Sequence, residues 1–473
     1  MALSQSWRVW GTSRVAHTTA TTTFYNFISF TFILNILFVS PFFTSPSHAA
    51  TFKVSVTKTT TQTDSKAGSP LAIASNKLFA SKYLGNSILS NNKYLAYTGV
   101  ITLGSNPSQS FEVVFDTGSD FIVVTSDQCR DSQCNDITQY TCTSCRRTPH
   151  RYNVTYGDGS WGYGPIVLDT VSIGGLVVHN QQILDVTKSG LNLHQYGSRI
   201  SGLIGLMPST PVSGAIPPLL SIFKSNILDM NVFSVYLTDS LKKNEGGSIL
   251  FGGIDSTKFV GTLNQLPIST APGVREGMWY VDADNAFVGD TPIEGYTKSP
   301  WLFDTGTTFI SVSLPFAKAF HEGVPGAVYS AADDIYTAPC TGNKTFGISF
   351  NGIKYEVPYR DYVVQTKPGS PICVSLVMPL PAKGMFVLGD PFLRQVYAVY
   401  DFTPGKARIG IAKVDTTNAS LGVEGLSGNP PGGIGISLVS SSRGQSRFET
   451  LISGVANVAI SFGVIAAIMV MAA

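Results

Sequence analysis

The sequence predicts an all-β body of two similar lobes, and two observations carry that expectation. Between residues 94 and 415, short runs of Val, Ile, Phe, Tyr and Thr alternate with Gly, Pro, Asn, Asp and Ser, as in "GYGPIVLDTVSIGGLVV" and "GGSILFGGID". Such runs read as short strands closed by turns. The second observation is an internal duplication: "VVFDTGSDFIVV" at residues 113 to 124 returns as "WLFDTGTTFISV" at 301 to 312. Superposing the two phrases sets Phe115 on Phe303, Asp116 on Asp304, Thr117 on Thr305, Gly118 on Gly306 and Phe121-Ile122 on Phe309-Ile310. Each half also carries an apolar pair before a glycine, "LIG" at 203 to 205 and "VLG" at 387 to 389. Two halves with the same order of features predict a pseudo-twofold axis. That axis would bring together two Asp turns that lie 188 residues apart in the chain.

Taken in chain order, the flanks precede and follow this body. Arg8 and Arg14 lead into the apolar stretch "FYNFISFTFILNILFV" at 24 to 39, and small residues stand at Ser47 and Ala49. Residues 1 to 49 therefore read as a secretory signal cut near Ala49, with a retained signal anchor as the competing reading. Residues 50 to 93 form a basic leader, with Lys53, Lys58, Lys66, Lys77, Lys82 and Lys93 against Asp64 alone, whereas residues 94 to 442 hold 22 Lys plus Arg against 28 Asp plus Glu. The first lobe is expected over 94 to 255 and the second over 256 to 415. Helices should be few and short, at "IPPLLSIFKSN" (216 to 226) and "LPFAKAFHEGV" (314 to 324). Residues 416 to 442 lack periodicity and are rich in Gly, Pro and Ser, the composition of a flexible stalk. From 443 to 473 a polar spacer leads to the uncharged run "VANVAISFGVIAAIMVMAA". With Ser440, Ser441 and Ser442 upstream and no basic flank downstream, the order of features is that of a GPI-attachment signal. A terminal transmembrane helix is the alternative, because 19 apolar residues nearly span a bilayer.

Composition removes several classes of function. A hydrophobic fraction of 43% and a charged fraction of 13% exclude a disordered chain and argue against a nucleic-acid partner. What remains to be explained is the pair of Asp residues set into apolar strands, since a buried carboxylate is costly unless it is paired or hydrogen-bonded. If Asp116 and Asp304 meet, they cannot both ionise cheaply, so the pair holds one proton over a span of acidic pH. The ionised member can then take a proton from water while the protonated member polarises a carbonyl oxygen, which is general acid-base catalysis without a covalent intermediate. Gly118 and Gly306 permit tight turns, and the hydroxyls of Ser119 and Thr307 can bond the outer carboxylate oxygens. A single Asp-Thr-Gly is weak evidence, because Asp and Gly suit any turn; two copies with matching flanks point to a shared site.

At these motifs the chain resembles the pepsin-like aspartic proteases, over about residues 94 to 415. "NVTYGDGSWGYG" at 153 to 164 is similar to the family's flap hairpin, and "GLIGL", "FSVYL", "GGSILFGGID" and "LGDPFLRQVYAVYDF" are similar to further family signatures. The resemblance implies a bilobal pepsin-like fold and an aspartic endopeptidase with an acidic optimum. It assigns Asp116 and Asp304 as catalytic, with Thr117, Gly118, Ser119, Thr305, Gly306 and Thr307 as motif support. Tyr156, Gly157 and Asp158 become the substrate-binding flap. It further implies a peptide or protein substrate, a monomer, no cofactor and no metal. The basic leader resembles the family's Lys-rich prosegment, with Lys82-Tyr83 as a blocking pair; a solvated spacer is the plainer reading of the same lysines. One departure is after the first motif: where many members carry a Trp that bonds the flap Tyr, this chain has Val123 and its neighbours, and Ser201 stands before "GLIGL" where an Asp is frequent. Trp161, just past the flap tip, is a candidate restraint or a packing residue. The rival class is a catalytically silent surface-binding protein on the same fold, and a calcium-binding adhesin is set aside because Asp-Thr-Gly-Ser offers too few oxygen ligands.

Six cysteines and three sequons complete the site residues. By the resemblance, Cys129 and Cys134 form the small loop of the first lobe and Cys340 and Cys373 the disulfide of the second. Cys142 and Cys145 depart from the pattern, and among the four cysteines of residues 129 to 145 three pairings are open. A zinc site made from "CRDSQC" and "CTSC" is the alternative, disfavoured by the oxidising compartment that a signal implies. Asn153, Asn343 and Asn418 each open an Asn-X-Ser/Thr triplet and are glycosylation candidates.

Overall fold

The computed structural model describes residues 50–59, 96–157, 159–191, 193, 200–208, 216–238, 246–331, 333–365, 369–379 and 385–416. The signal, Lys82-Tyr83, Asp158, Asn418, the stalk and the C-terminal apolar run lie outside them. Strands dominate, and the four α-helices among the described residues are no longer than nine residues. The expected helix at 216 to 226 is Pro218–Ser225, begun by proline at its first position and ended by Asn226 in the left-handed conformation. That expected at 314 to 324 is Leu314–Glu322, whose N-cap Ser313 accepts a hydrogen bond from the Phe316 amide.

The duplication read in the sequence is repeated in the strand topology. In the first half, Gln109–Asp116 runs parallel to Ile200–Gly205; that strand lies antiparallel to Ile122–Thr125, which is in turn parallel to Leu176–Val186. In the second half, Ser299–Phe303 runs parallel to Phe386–Leu388; that strand lies antiparallel to Ile310–Val312, which is parallel to Val377–Pro379. Register agrees as well: Phe115 sits opposite Ile204, and Phe303 opposite Leu388. The apolar pairs of "LIG" and "VLG" are thus the strands beside each Asp. Their burial on both faces explains runs that do not alternate with polar residues.

The halves are joined by a composite sheet. Val232–Leu237 from the first half pairs antiparallel with Val396–Asp401 from the second, and Phe233 stacks on Tyr400 with ring centroids 4.6 Å apart. Phe259–Pro267 and Arg408–Val414 extend the sheet on one side, Gly247–Phe251 and Phe52–Thr59 on the other. The start of the basic leader is therefore a strand of the body, bridging Gly247–Phe251 to Ala96–Leu103. One apolar core runs through both halves, from Val54 to Ile411. The fully buried Trp279 packs edge-on to Phe233 and Tyr400, and its Nε1 donates to the Leu206 carbonyl of the other lobe at 2.8 Å. A separate apolar cluster lies beneath the hairpin of Arg146–Thr155 and Trp161–Ile173.

Candidate active site

Both Asp turns arise where an apolar strand ends at the boundary between the halves. Phe115 and Phe303 are fully buried and anchor the strand ends, so the residues that follow emerge where the lobes meet. Here the threonines cross over. The Thr117 Oγ1 donates to the Phe303 carbonyl at 2.8 Å and accepts from the Thr305 amide at 2.9 Å. Reciprocally, the Thr305 Oγ1 donates to the Phe115 carbonyl at 2.6 Å and accepts from the Thr117 amide at 3.1 Å. Four buried hydrogen bonds, two from each side, lock one turn against the other.

The carboxylates are held in the same symmetric way. The Gly118 amide donates to Asp116 Oδ1 at 2.8 Å and the Ser119 hydroxyl to Oδ2 at 2.6 Å. The Gly306 amide donates to Asp304 Oδ1 at 2.8 Å and the Thr307 hydroxyl to Oδ2 at 2.6 Å. Each glycine also leaves room for the opposite acid: a Cβ on Gly118 would stand 2.7 Å from Asp304 Oδ2, and one on Gly306 2.7 Å from Asp116 Cγ. No side chain fits between a carboxylate and the turn facing it.

Asp116 and Asp304 are 7% and 8% exposed, and their carboxyls stand within hydrogen-bonding reach of each other. Burial first, then the negative charge of Asp304, holds the Asp116 carboxyl well above the usual carboxylate range, against the opposing bonds from Ser119 and Gly118. A proton is retained at this centre where ordinary carboxylates have lost theirs.

The hairpin carrying Tyr156 and Gly157 turns at residues 156 to 160, where the Tyr156 amide donates to the Ser160 carbonyl and the Gly159 amide to the Tyr156 carbonyl. Tyr152, Val154 and Tyr156 face inward onto the cluster of Phe121, Val123, Leu191 and Leu193, and Phe121 stacks on Tyr152 at 4.9 Å. Val123, in the stretch that lacks the expected Trp, is fully buried in that cluster. Trp161 lies on the opposite face, its indole against the Gly190 backbone. The cysteines pair as Cys129–Cys134, Cys142–Cys145 and Cys340–Cys373, which resolves the open pairing and leaves no thiolate for zinc. Asn153 and Asn343 are exposed.

Two features escaped the sequence reading. Asp120, 8% exposed, receives the Arg275 guanidinium from the second half at 3.0 Å. The phrase "DTGSD" showed the acid, but nothing in the sequence marked a partner 155 residues away. The threonine cross-bonds were foreshadowed only by the identity of Thr117 and Thr305 in the two phrases.

The profile of the eukaryotic aspartyl protease family matches residues 96–414, and the chain belongs to that family. It is 31% identical to pepsin A of Rhinolophus ferrumequinum over 353 residues, covering 71% of this chain and 87% of the relative. It is also 31% identical to cathepsin E-B of Xenopus laevis, over 69% of this chain and 81% of the relative. With cathepsin E of Rattus norvegicus the identity is 30%, over 69% and 82%.

Proposed function

We propose that this protein is an aspartic endopeptidase that cleaves extended peptide segments at acid pH, with Asp116 and Asp304 as its catalytic pair. The observation that carries the reading is the reciprocal arrangement of two nearly buried carboxylates within hydrogen-bonding reach, each held by one amide and one hydroxyl. One shared proton divides the labour. The ionised carboxylate takes a proton from water as its oxygen attaches to the scissile carbonyl carbon, and the protonated carboxyl gives its proton to the carbonyl oxygen. Collapse of the tetrahedral adduct breaks the C–N bond, the leaving nitrogen takes up a proton, and the pair returns to its singly protonated state. The inward face of the flap, with Tyr156 and Gly157, covers the bound peptide.

The same reading includes a secretory route: residues 1 to 49 as signal, 50 to 93 as prosegment, 416 to 442 as stalk and 443 to 473 as a GPI-attachment signal. Three disulfides suit an oxidising compartment. The test is hydrolysis of a defined peptide library across pH by the mature protein and by Asp116→Asn and Asp304→Asn. Both variants should lose turnover, and the parent should lose it as pH rises past the elevated Asp116 pKa, because the shared proton is then gone. Full turnover in either variant would sink the assignment.

A further inference from the structure

The outer face of the flap carries an unassigned surface. Asn153 pairs across the hairpin with Tyr163 and Thr155 with Trp161, so all four side chains rise on one face, opposite to Tyr152, Val154 and Tyr156. With Lys188, which pairs with Tyr163, they line an open trough of about 720 Å³. Trp161 is 38% exposed, with part of its indole resting on Gly190, and the Arg151 guanidinium stands 5.9 Å from the Tyr163 ring centroid. Two aromatic rings flanked by cations and a hydroxyl form a surface suited to sugar: apolar C–H faces lie on the rings, and hydroxyls bond Lys188 and Thr155.

An occupant is tethered to the wall. Asn153-Val-Thr155 is a glycosylation acceptor, and its Asn and Thr side chains are themselves lining residues of the trough. We propose that Asn153 carries an N-linked oligosaccharide whose first sugars lie in this trough, over Trp161 and Tyr163, and cover the outer face of the flap. In the transfer, the Asn153 side-chain nitrogen bonds to the anomeric carbon of a lipid-pyrophosphate-linked oligosaccharide. The anomeric C–O bond to pyrophosphate breaks, the lipid pyrophosphate leaves, and the amide gives up one proton; no oxidation occurs. The sugar then spans both strands of the hairpin from outside and leaves the inward face to the peptide. Glycosylation rests on the secretory route proposed above and is independent of the catalytic assignment.

The experiment uses the full chain expressed in a glycosylating eukaryotic host. Secretion or surface display reports the route separately. Peptide mass spectrometry after N-glycosidase release in ¹⁸O-water reports whether Asn153 was occupied, and the rate of glycan release from the native protein reports its seating. The expected result is an occupied Asn153 whose glycan is released about fivefold faster from Trp161→Ala, the scale of one aromatic contact. Trp161→Tyr, which keeps an aromatic ring, should restore the slow release, separating a lost seat from a disturbed fold. An unmodified Asn153 in exported protein overturns the site, and an occupied Asn153 with equal release rates in all three proteins overturns the trough.

Discussion

The cross-bonded threonines decide how the paired carboxylates of Asp116 and Asp304 are held. Each Thr hydroxyl donates to a carbonyl and accepts from an amide across the lobe boundary, so both turns are fixed by the partner lobe as well as by their own strand. Replacing Thr117 by Val keeps the shape but leaves the Phe303 carbonyl and the Thr305 amide without their bonds, while Ser keeps the hydroxyl. Unpaired buried groups cost about 1–3 kcal/mol each. Thr117→Val should therefore lose at least that much unfolding free energy and most of its kcat, and Thr117→Ser should stay near the parent; denaturant titration with steady-state kinetics checks both. A Val variant with parental kcat would show that the carboxylates do not depend on the cross-bonds. At this scale the sequence was informative about identity and silent about direction. Doubling of Asp-Thr-Gly marked the residues, but which hydroxyl reaches which carbonyl depends on an axis that no single stretch encodes.

Among the elements, the helix Leu314–Glu322 shows both the reach and the limit of pattern. The sequence placed a helix over 314 to 324 but named no inner face; Phe316, Ala317, Phe320 and His321, at helical spacing, are the positions the helix buries. It did not foretell that one buried position is a titratable ring. His321 is 3% exposed; its Nδ1 donates to the Ala317 carbonyl at 2.6 Å, its Nε2 accepts from the Ser375 hydroxyl at 2.8 Å, and it stacks on Tyr336 at 3.8 Å. Burial pushes its pKa down to about 4, with only the Ala317 bond opposing. In the unfolded chain the ring gains its proton near the usual 6.5, so the unfolded state binds more protons between those values. Stability then falls as pH drops from 6.5 toward about 4, by about 3 kcal/mol in all. Unfolding free energies measured across that interval should show this slope, and His321→Gln should flatten it. The same slope in the variant would assign the effect elsewhere. An enzyme working in acid would carry this cost in its second lobe.

For the whole molecule, the question is what holds the halves in register so that two half-sites make one. The composite sheet, the Phe233–Tyr400 stack and the Trp279 bond to Leu206 tie the base together. The bilobal plan was legible because a duplicated pattern admits few other folds; the joining strands were less so, since Phe52–Thr59 lay in a stretch whose lysines dominated its reading. Nearer the Asp turns, the Asp120–Arg275 pair spans the same boundary four residues beyond Asp116. Asp120 is nearly buried, whereas the Arg275 side chain is 48% exposed, so solvent screens the pair and its worth is modest. The two partners are not equivalent on removal. Arg275→Ala leaves a buried carboxylate uncompensated, while Asp120→Asn leaves a cation that water can reach. Burial raises the Asp120 pKa despite Arg275, and without Arg275 it rises further. Below that pKa the acid is neutral and needs no partner; above it the uncompensated charge destabilises the fold. Arg275→Ala should consequently cost about 1–2 kcal/mol at neutral pH and much less in acid, and adding Asp120→Asn should recover most of the neutral-pH loss. A double-mutant cycle by denaturant titration at two pH values measures this coupling. Equal losses in acid and at neutrality, or no recovery in the double variant, would remove the ion pair from the account of how the lobes are aligned.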